Sequence, residues 1–307
     1  MITDAKPKLL VITGPTAVGK TTSTIHLARI LKTEILSADS RQVYKEMRIG
    51  TARPGESELQ LAPHHFIGTV SIREDYNVSR FETEALNLLD QLFRDHPVVI
   101  MTGGSGLYLH AVCHGIDDLP DPDGTLREEL KSMYDTEGIE SLRSRLKLLD
   151  PVYYKKVDLA NPNRLLRALE VCIATGKPFS ELRKNKAKPR DFEIIMIGLT
   201  RDKEELNQRI NERVDRMMEE GLLEEARQLY PFRNLNALNT VGYRELFQYL
   251  SGKVPLDMAI ANIKTHSRRY AKRQMTWFRK DKSIRWFHPD QEEEILNFVQ
   301  KKSLSSL

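Results

Sequence analysis

The chain has 307 residues, 40% apolar and 29% charged, with 47 Lys and Arg against 43 Asp and Glu, a net charge of +4. These proportions fit one large α/β domain or two smaller units and exclude a disordered or fibrous chain. No apolar run approaches a membrane span, residues 1–8 lack the plan of a signal peptide, and Cys113 and Cys172 form neither a C-x-x-C pair nor a disulfide framework. A cytoplasmic protein with no membrane partner is expected.

The apolar run Leu9-Leu10-Val11-Ile12 reads as a buried strand and leads into Gly14-Pro15-Thr16-Ala17-Val18-Gly19-Lys20-Thr21. A helical pattern follows from Thr22 to Leu31. This is G-x-x-x-x-G-K-[ST] in strand–loop–helix context, the P-loop signature. Its glycines let backbone N–H groups approach phosphate oxygens, and the helix start adds its partial positive charge. Lys20 supplies a mobile cation and Thr21 a hydroxyl suited to Mg²⁺. These eight residues are expected to bind a di- or triphosphate.

A second strand, Glu34 to Ala38, ends at Asp39-Ser40-Arg41-Gln42. Strand carboxyl ends carry the reacting groups of α/β folds, so Asp39 is a candidate general base or Mg²⁺ partner. The alternative is a loop aspartate capping a turn. Residues 43–70 are rich in turn formers. Their adjacent His64 and His65 would face opposite sides of a strand, with no acidic or cysteine partner nearby in sequence, so no metal is expected there. Ser79 to Arg94 reads as an amphipathic helix with Phe81, Ala85, Leu88, Leu89 and Leu92 on one face.

Pro97 to Met101 is a further buried strand, followed by Thr102-Gly103-Gly104-Ser105-Gly106. An energy-coupled NTPase would place a Walker-B aspartate here. Glycines and hydroxyls argue against a motor or switch ATPase, and suit a bulky second substrate approaching the backbone. From Asp117 to about Lys188 strand signals stop, and helical patterns occupy about 125–135, 138–149, 161–175 and 178–184. Phe192 to Leu199 is again a buried strand, so the helices form an insertion between two parts of one sheet. The expected division is 1–116, 117–188 and 189–307.

On the helix expected at about 203–219, Arg209 and Arg216 have acids at i±3 or i±4, whereas Arg213 has none. Arg213 is therefore the arginine freest to clamp an external phosphate. Thr265 to Trp286 interleaves Arg268, Arg269, Lys272, Arg273, Arg279, Lys280, Lys282 and Arg285 with Tyr270, Trp277, Phe278 and Trp286. Cations for phosphates beside aromatic faces for bases is a nucleic-acid pattern. A solvated basic helix face with aromatics in the core is the alternative.

With these signals in order, the chain resembles the tRNA dimethylallyltransferase family, the tRNA isopentenyltransferases, in its bacterial form. The blocks that carry the resemblance are GPTAVGKT (14–21), SADSRQVY (37–44), IGTARP (49–54), APHHFIG (62–68), GGSGLYL (103–109), NPNRLLRALE (161–170), VGYREL (241–246) and AKRQMTWFR (271–279). The resemblance implies an α/β fold, a P-loop NTPase-like parallel sheet flanked by helices, with a small all-helical insertion domain for the tRNA anticodon stem-loop. It implies dimethylallyl transfer from dimethylallyl diphosphate to the N6 amine of adenosine 37 of tRNA, with Mg²⁺, by a monomer. By the same resemblance Asp39 is the general base, Thr21 and Lys20 serve metal and diphosphate, and Arg213 binds diphosphate. Implied tRNA contacts are Asp39, Ser40, Arg41, Gln42, Ser105, Arg127, Asn163, Arg164, Leu165, Leu166, Arg167, Asn239, Thr240, Val241, Gly242, Tyr243, Arg244, Lys272, Arg273, Gln274, Met275, Thr276, Trp277, Phe278 and Arg279. Ser105 stands where Thr is usual, Arg48 and Gly68 replace usual Asp residues, and Asn163 replaces a usual basic residue.

Three rivals share part of this pattern. A P-loop nucleotide kinase would use ATP and leave the basic–aromatic segment unexplained. A transferase acting on free AMP or ADP would need neither that segment nor the insertion. An RNA-binding protein with a vestigial P-loop would not account for Lys20, Thr21, Asp39 and Arg213 together.

Overall fold

The structure is a computed structural model and describes residues 6–120, 124–184 and 186–304. Six strands form one sheet: β1 (Lys8–Thr13), β2 (Ile35–Ser37), β3 (His64–His65), β4 (Val98–Gly103), β5 (Glu193–Leu199) and β6 (Arg285–Phe287). Their order is β3-β2-β4-β1-β5-β6, and every pairing is parallel. β1 lies between β4 and β5 and is buried along its whole length, which is why it reads as an unbroken apolar run.

Alternation along that strand divides the core. Leu9 and Val11 join the cluster that includes Phe81, Leu89, Tyr243 and Ile263, while Leu10 and Ile12 join the one that includes Ile25, Leu27, Ile197 and Val299. Both faces of the sheet are thus covered by helices, the arrangement that parallel strands require. The strand carboxyl ends Thr13, Ser37 and Gly103 point the same way, so the loops that follow them gather at one edge.

The expected strands and helices are present, with shifts of a few residues at their ends. Several regions carry structure that the sequence did not announce. β3 and β6 are only two and three residues long and exist through pairing to β2 and β5. The helices Gly106–His114 and Glu292–Leu304 were also unforeseen. Trp286, expected among nucleic-acid contacts, is half-buried in β6, where its ring covers Gly198 closely enough that a Cβ there would lie 2.6 Å from it.

The chain divides into two compact units, one comprising Met1–His114 with Pro189–Leu307 and the other Gly115–Lys188. The second unit is helical: Gly124–Glu137, Ile139–Leu149, Pro151–Tyr154, Pro162–Thr175 and Phe179–Leu182. Leu130, Leu142, Leu146, Leu165 and Leu169 build its core. Asn161 caps the Pro162–Thr175 helix through the Arg164 N–H, and Gly176, at φ 65°, ends it in the left-handed conformation.

Asp150 staples that unit. Its carboxylate is fully buried and accepts from the Tyr153 N–H at 2.8 Å, the Ser180 N–H at 2.7 Å and the Ser180 hydroxyl at 2.8 Å. Asp150→Ala strands these donors and should cost about 2–3 kcal/mol in denaturant unfolding. Leu148→Ala, two residues away with 81% of its surface exposed, should stay within about 0.5 kcal/mol of the parent.

Candidate active site at the phosphate loop

The phosphate loop leaves β1 at Gly14 and enters the helix Lys20–Leu31 through Gly19 at φ 113°. Ala17 also holds a left-handed φ, of 64°. That conformation is costly for a residue with a Cβ and must be fixed by its surroundings. The surroundings are long polar side chains. Arg209 Nε donates to the Ala17 carbonyl at 3.0 Å, and Arg201 Nε to the Val18 carbonyl at 2.9 Å. Arg213 Nη1 donates to the Thr16 hydroxyl at 2.9 Å, and the Thr16 N–H donates to Gln274 Oε1 at 2.9 Å. Lys20 Nζ folds back onto the Gly14 and Pro15 carbonyls at 2.9 and 2.8 Å.

This corrects the expectation for Arg209. Glu205, four residues earlier, instead pairs with Arg201, and Glu212 accepts from Gln208 at 2.8 Å. Arg213 reaches the loop through the Thr16 hydroxyl and has no acid at helical spacing. Burial, with a contribution from Arg216, pulls its guanidinium below its usual range, and Asp39 opposes that shift.

Asp39 follows β2 and is half-buried. Its Oδ1 accepts from the Arg41 N–H at 2.9 Å and the Gln42 N–H at 3.2 Å. The two readings of this residue are therefore compatible: one oxygen caps the turn, and Oδ2 has no hydrogen bond among the described residues. Its charge reaches Lys20, Arg213 and Tyr270. The neighbouring loop is closely tied. The Ser40 N–H donates to Ser105 Oγ at 3.0 Å, and the Ser105 hydroxyl donates to Ser40 Oγ at 3.3 Å. Arg41 Nη1 donates to the Asn236 and Ala237 carbonyls, both at 3.0 Å. Gln42 Nε2 donates to the Thr51 and Ala52 carbonyls at 3.2 and 3.1 Å.

The glycines at 103–106 were expected to admit a substrate against the backbone. Here side chains of the helix Leu256–Phe278 come that close: a Cβ on Gly104 would lie 2.2 Å from Gln274 Nε2, and one on Gly106 2.3 Å from Trp277 Nε1. The helix has two faces. Ala271, Gln274 and Phe278 are buried, at i, i+3 and i+7, whereas Lys272, Arg273, Thr276, Trp277 and Arg279 are exposed. Arg268 is not free for external contact either, because it donates to Asn211 Oδ1 at 2.6 Å.

Five of the residues expected at an RNA surface thus have buried side chains: Leu165, Leu166, Tyr243, Gln274 and Phe278. Tyr243 donates to Glu225 Oε1 at 2.6 Å, and the same carboxylate accepts from the N–H groups of Arg48, Ile49 and Gly50 at 3.0, 2.8 and 2.9 Å. Gly242 is also buried, Thr240, Val241 and Met275 are half-buried, and Asn239 and Arg244 are exposed. On the helical unit Asn163 and Arg164 are exposed, while Arg127 and Arg167 lean on the buried Glu170 at 3.1 and 3.6 Å. The His pair does acquire an acid in space: Glu34 Oε2 lies 2.6 Å from His65 Nε2, and Glu34 Oε1 3.7 Å from His96.

A parallel sheet whose central strand runs into a glycine-rich phosphate loop, overlaid by arginines from a later helix, defines a P-loop protein of NTPase-like fold. A family model described as IPP transferase matches residues 42–281. Over 292 residues the chain is 54% identical to a tRNA dimethylallyltransferase of Bacteroides fragilis, spanning 95% of this chain and 97% of that one. It is 52% identical over 295 residues to a tRNA dimethylallyltransferase of Christiangramia forsetii, spanning 96% and 98%. The solved tRNA isopentenylpyrophosphate transferase of Bacillus halodurans has a TM-score of 0.73 to this structure at 38% identity, covering 98% of both chains. A eukaryotic dimethylallyltransferase solved while acting on tRNA has a TM-score of 0.72 at 30% identity, covering 89% of this chain and 70% of its own. The chain belongs to the tRNA dimethylallyltransferase family of prenyltransferases.

Among the described residues no helix is long and apolar enough to cross a membrane, and no group of three or more His, Cys, Asp or Glu could hold a metal ion.

The cation cluster predicts a pH signature. Burial and the nearby Arg213 lower the Lys20 amine to about 7, with Asp39 acting in the opposite direction. Lys20 is then only partly protonated in the free protein at neutral pH, and a bound polyanion restores its full charge. Binding of inorganic pyrophosphate above about pH 7 should therefore take up about one proton per site, and affinity should fall as pH rises. Calorimetry in two buffers of different ionisation enthalpy reads that uptake as the difference between the parent and Lys20→Arg, which keeps only the protons exchanged by pyrophosphate itself.

Proposed function

We propose that this prenyltransferase moves a dimethylallyl group from dimethylallyl diphosphate to the N6 amine of adenosine 37, beside the tRNA anticodon. The observation that carries the reading is the single uncommitted oxygen of Asp39, held beside a phosphate loop flanked by Lys20 and Arg213. An exocyclic adenine amine is a weak nucleophile, because its lone pair is delocalised into the ring. Asp39 accepts its proton as the N6–C1 bond forms and the C1–O bond to diphosphate breaks. Lys20, Arg213 and the amides at the start of the Lys20–Leu31 helix stabilise the charge that develops on the departing diphosphate.

Mg²⁺ fits this site. The Thr21 hydroxyl, in the first turn of that helix, has no hydrogen bond among the described residues. One hydroxyl with diphosphate oxygens and water is the oxygen-rich, sparsely protein-ligated set that Mg²⁺ accepts. When bound, the ion supplies charge neutralisation on the diphosphate.

The exposed face of the Leu256–Phe278 helix supports the RNA side of the proposal. Lys272, Arg273 and Arg279 offer cations for phosphates, and Trp277, 45% exposed, offers a stacking face. Asn163, Arg164, Arg127 and Arg167 give the helical unit its own polar surface for the anticodon stem-loop. The target base must leave its stack to reach Asp39. On this reading the enzyme acts as a monomer, in the cytoplasm where its tRNA substrate is found.

The test is incubation with Mg²⁺, dimethylallyl diphosphate and unmodified tRNA, then nucleoside mass spectrometry, with a parallel reaction containing ATP instead. A five-carbon mass gain on one adenosine in the first reaction alone is expected. Phosphate moved to a nucleotide in the second, with no mass gain in the first, would overturn the reading. Asp39→Asn should slow transfer by about 100-fold or more while tRNA affinity is kept. Full activity in that variant would remove Asp39 from the role of base.

A further inference from the structure

Gln274 lies in the basic stretch of the Leu256–Phe278 helix, where the sequence suggested RNA contact, yet its side chain is buried. It spans two loops that leave adjacent strands, β1 and β4. Its Oε1 accepts from the Thr16 N–H at 2.9 Å, and its Nε2 donates to the Gly104 carbonyl at 2.9 Å. A backbone donor on one side and a backbone acceptor on the other fix which way the amide points. Among side chains of this length and shape only glutamine satisfies both. A glutamate would oppose a carboxylate to the Gly104 carbonyl, and a methionine would leave the half-buried Thr16 N–H and the buried Gly104 carbonyl without this partner.

Thr16 carries the consequence further. Its N–H is held by Gln274, while its hydroxyl accepts from Arg213 Nη1 at 2.9 Å. The placement of the Arg213 guanidinium therefore depends on Thr16, and that of Thr16 on Gln274. The Thr16 N–H is also already engaged, so the amides left to cradle an anion are those nearer the helix start. One helix turn thus faces two ways: Gln274 inward to the phosphate loop, Lys272 and Arg273 outward to solvent.

We propose that Gln274 is a positioning residue for diphosphate departure, acting through Thr16 on Arg213, and that it makes no contact with RNA. The inference rests on the reading of the phosphate loop as the diphosphate site.

The experiment compares the full-length protein with Gln274→Met and Gln274→Glu, each alone and combined with Arg213→Ala. Rates of prenyl transfer at saturating substrates, Kd for tRNA, Kd for inorganic pyrophosphate and thermal unfolding are measured for all. Gln274→Met should lower kcat by about tenfold or more and weaken pyrophosphate binding, with tRNA affinity within about twofold of the parent. Gln274→Glu keeps the acceptor for Thr16 and should fall between the two. It also decides the matter if Gln274→Met fails to fold. In the Arg213→Ala background the further loss from either change should shrink to below about threefold, because the group being positioned is gone.

Weakened tRNA binding at full kcat would make Gln274 an RNA contact and overturn the proposal. So would losses that multiply undiminished with Arg213→Ala, or a folded variant with parental kcat and pyrophosphate affinity. If the parent protein transfers no prenyl group but pyrophosphate binding still shows the coupling between Gln274 and Arg213, the functional reading fails while the positioning role stands.

Discussion

A loop that aims its N–H groups at an anion must turn its carbonyls somewhere else, and those carbonyls need donors of their own. In this protein the donors come from far away in sequence. Lys20 serves Gly14 and Pro15, Arg209 serves Ala17, and Arg201 serves Val18. Gln274 and Arg213 fix Thr16 from its two polar groups. The left-handed φ of Ala17 is held within this set of contacts. Such a loop is organised before its ligand arrives, so little reorganisation is required when charge develops in the reaction. The sheet exists to bring these contributors together: β1 delivers the loop, β5 delivers Arg201 and the helix after it, and β4 delivers the glycines that let Gln274 through.

The same geometry concentrates positive charge. Burial pulls both Lys20 and Arg213 below their usual ranges, aided by Arg213 at Lys20 and by Arg216 at Arg213, with Asp39 as the countercharge acting on both. Arg201 contributes less field, because Glu205 and Asp290 neutralise it. A polyanion entering the loop relieves repulsion that the fold has already accepted, so part of its binding comes from interactions unfavourable in its absence. Asp39 has a related economy. The oxygen that caps its own turn fixes the carboxylate's direction, which leaves the other oxygen aimed rather than mobile.

What could be read from the sequence divides along a physical line. β1, β4 and β5 were legible because a strand buried on both faces must be apolar throughout, and the Pro162–Thr175 helix because its cap and its terminating glycine are local chemistry. β3 and β6 were not, because two or three residues carry no periodicity and become strands only by pairing. Arg209 was misread for another reason: Glu205 has an arginine four residues away on either side, and spacing alone does not say that Arg201 takes it while Arg209 turns to the Ala17 carbonyl. The basic–aromatic stretch held a signal that went unused. Ala271, Gln274 and Phe278 recur at the spacing of an inward stripe, and applying that period to the run separates its buried members from the exposed Lys272, Arg273, Thr276 and Arg279. Glu225, which gathers three backbone N–H groups and Tyr243, had no sequence signal at all, because nothing local distinguishes it from Glu224.

The two-faced helix also explains why the catalytic side of this fold tolerates so few bulky residues. Gly104 and Gly106 lie where Gln274 and Trp277 would come within 2.2 and 2.3 Å of an added Cβ. If the loops after β1 and β4 were spaced more widely, larger residues would fit, but one amide could not then reach both Thr16 and Gly104. The glycines, the glutamine and the helix register are thus a single constraint. A shift of the helix by one residue would remove Gln274 from both partners and turn its outward cations away from the side they now occupy. Phosphate-loop geometry and the orientation of the basic surface are therefore set by the same register, and neither can change without the other.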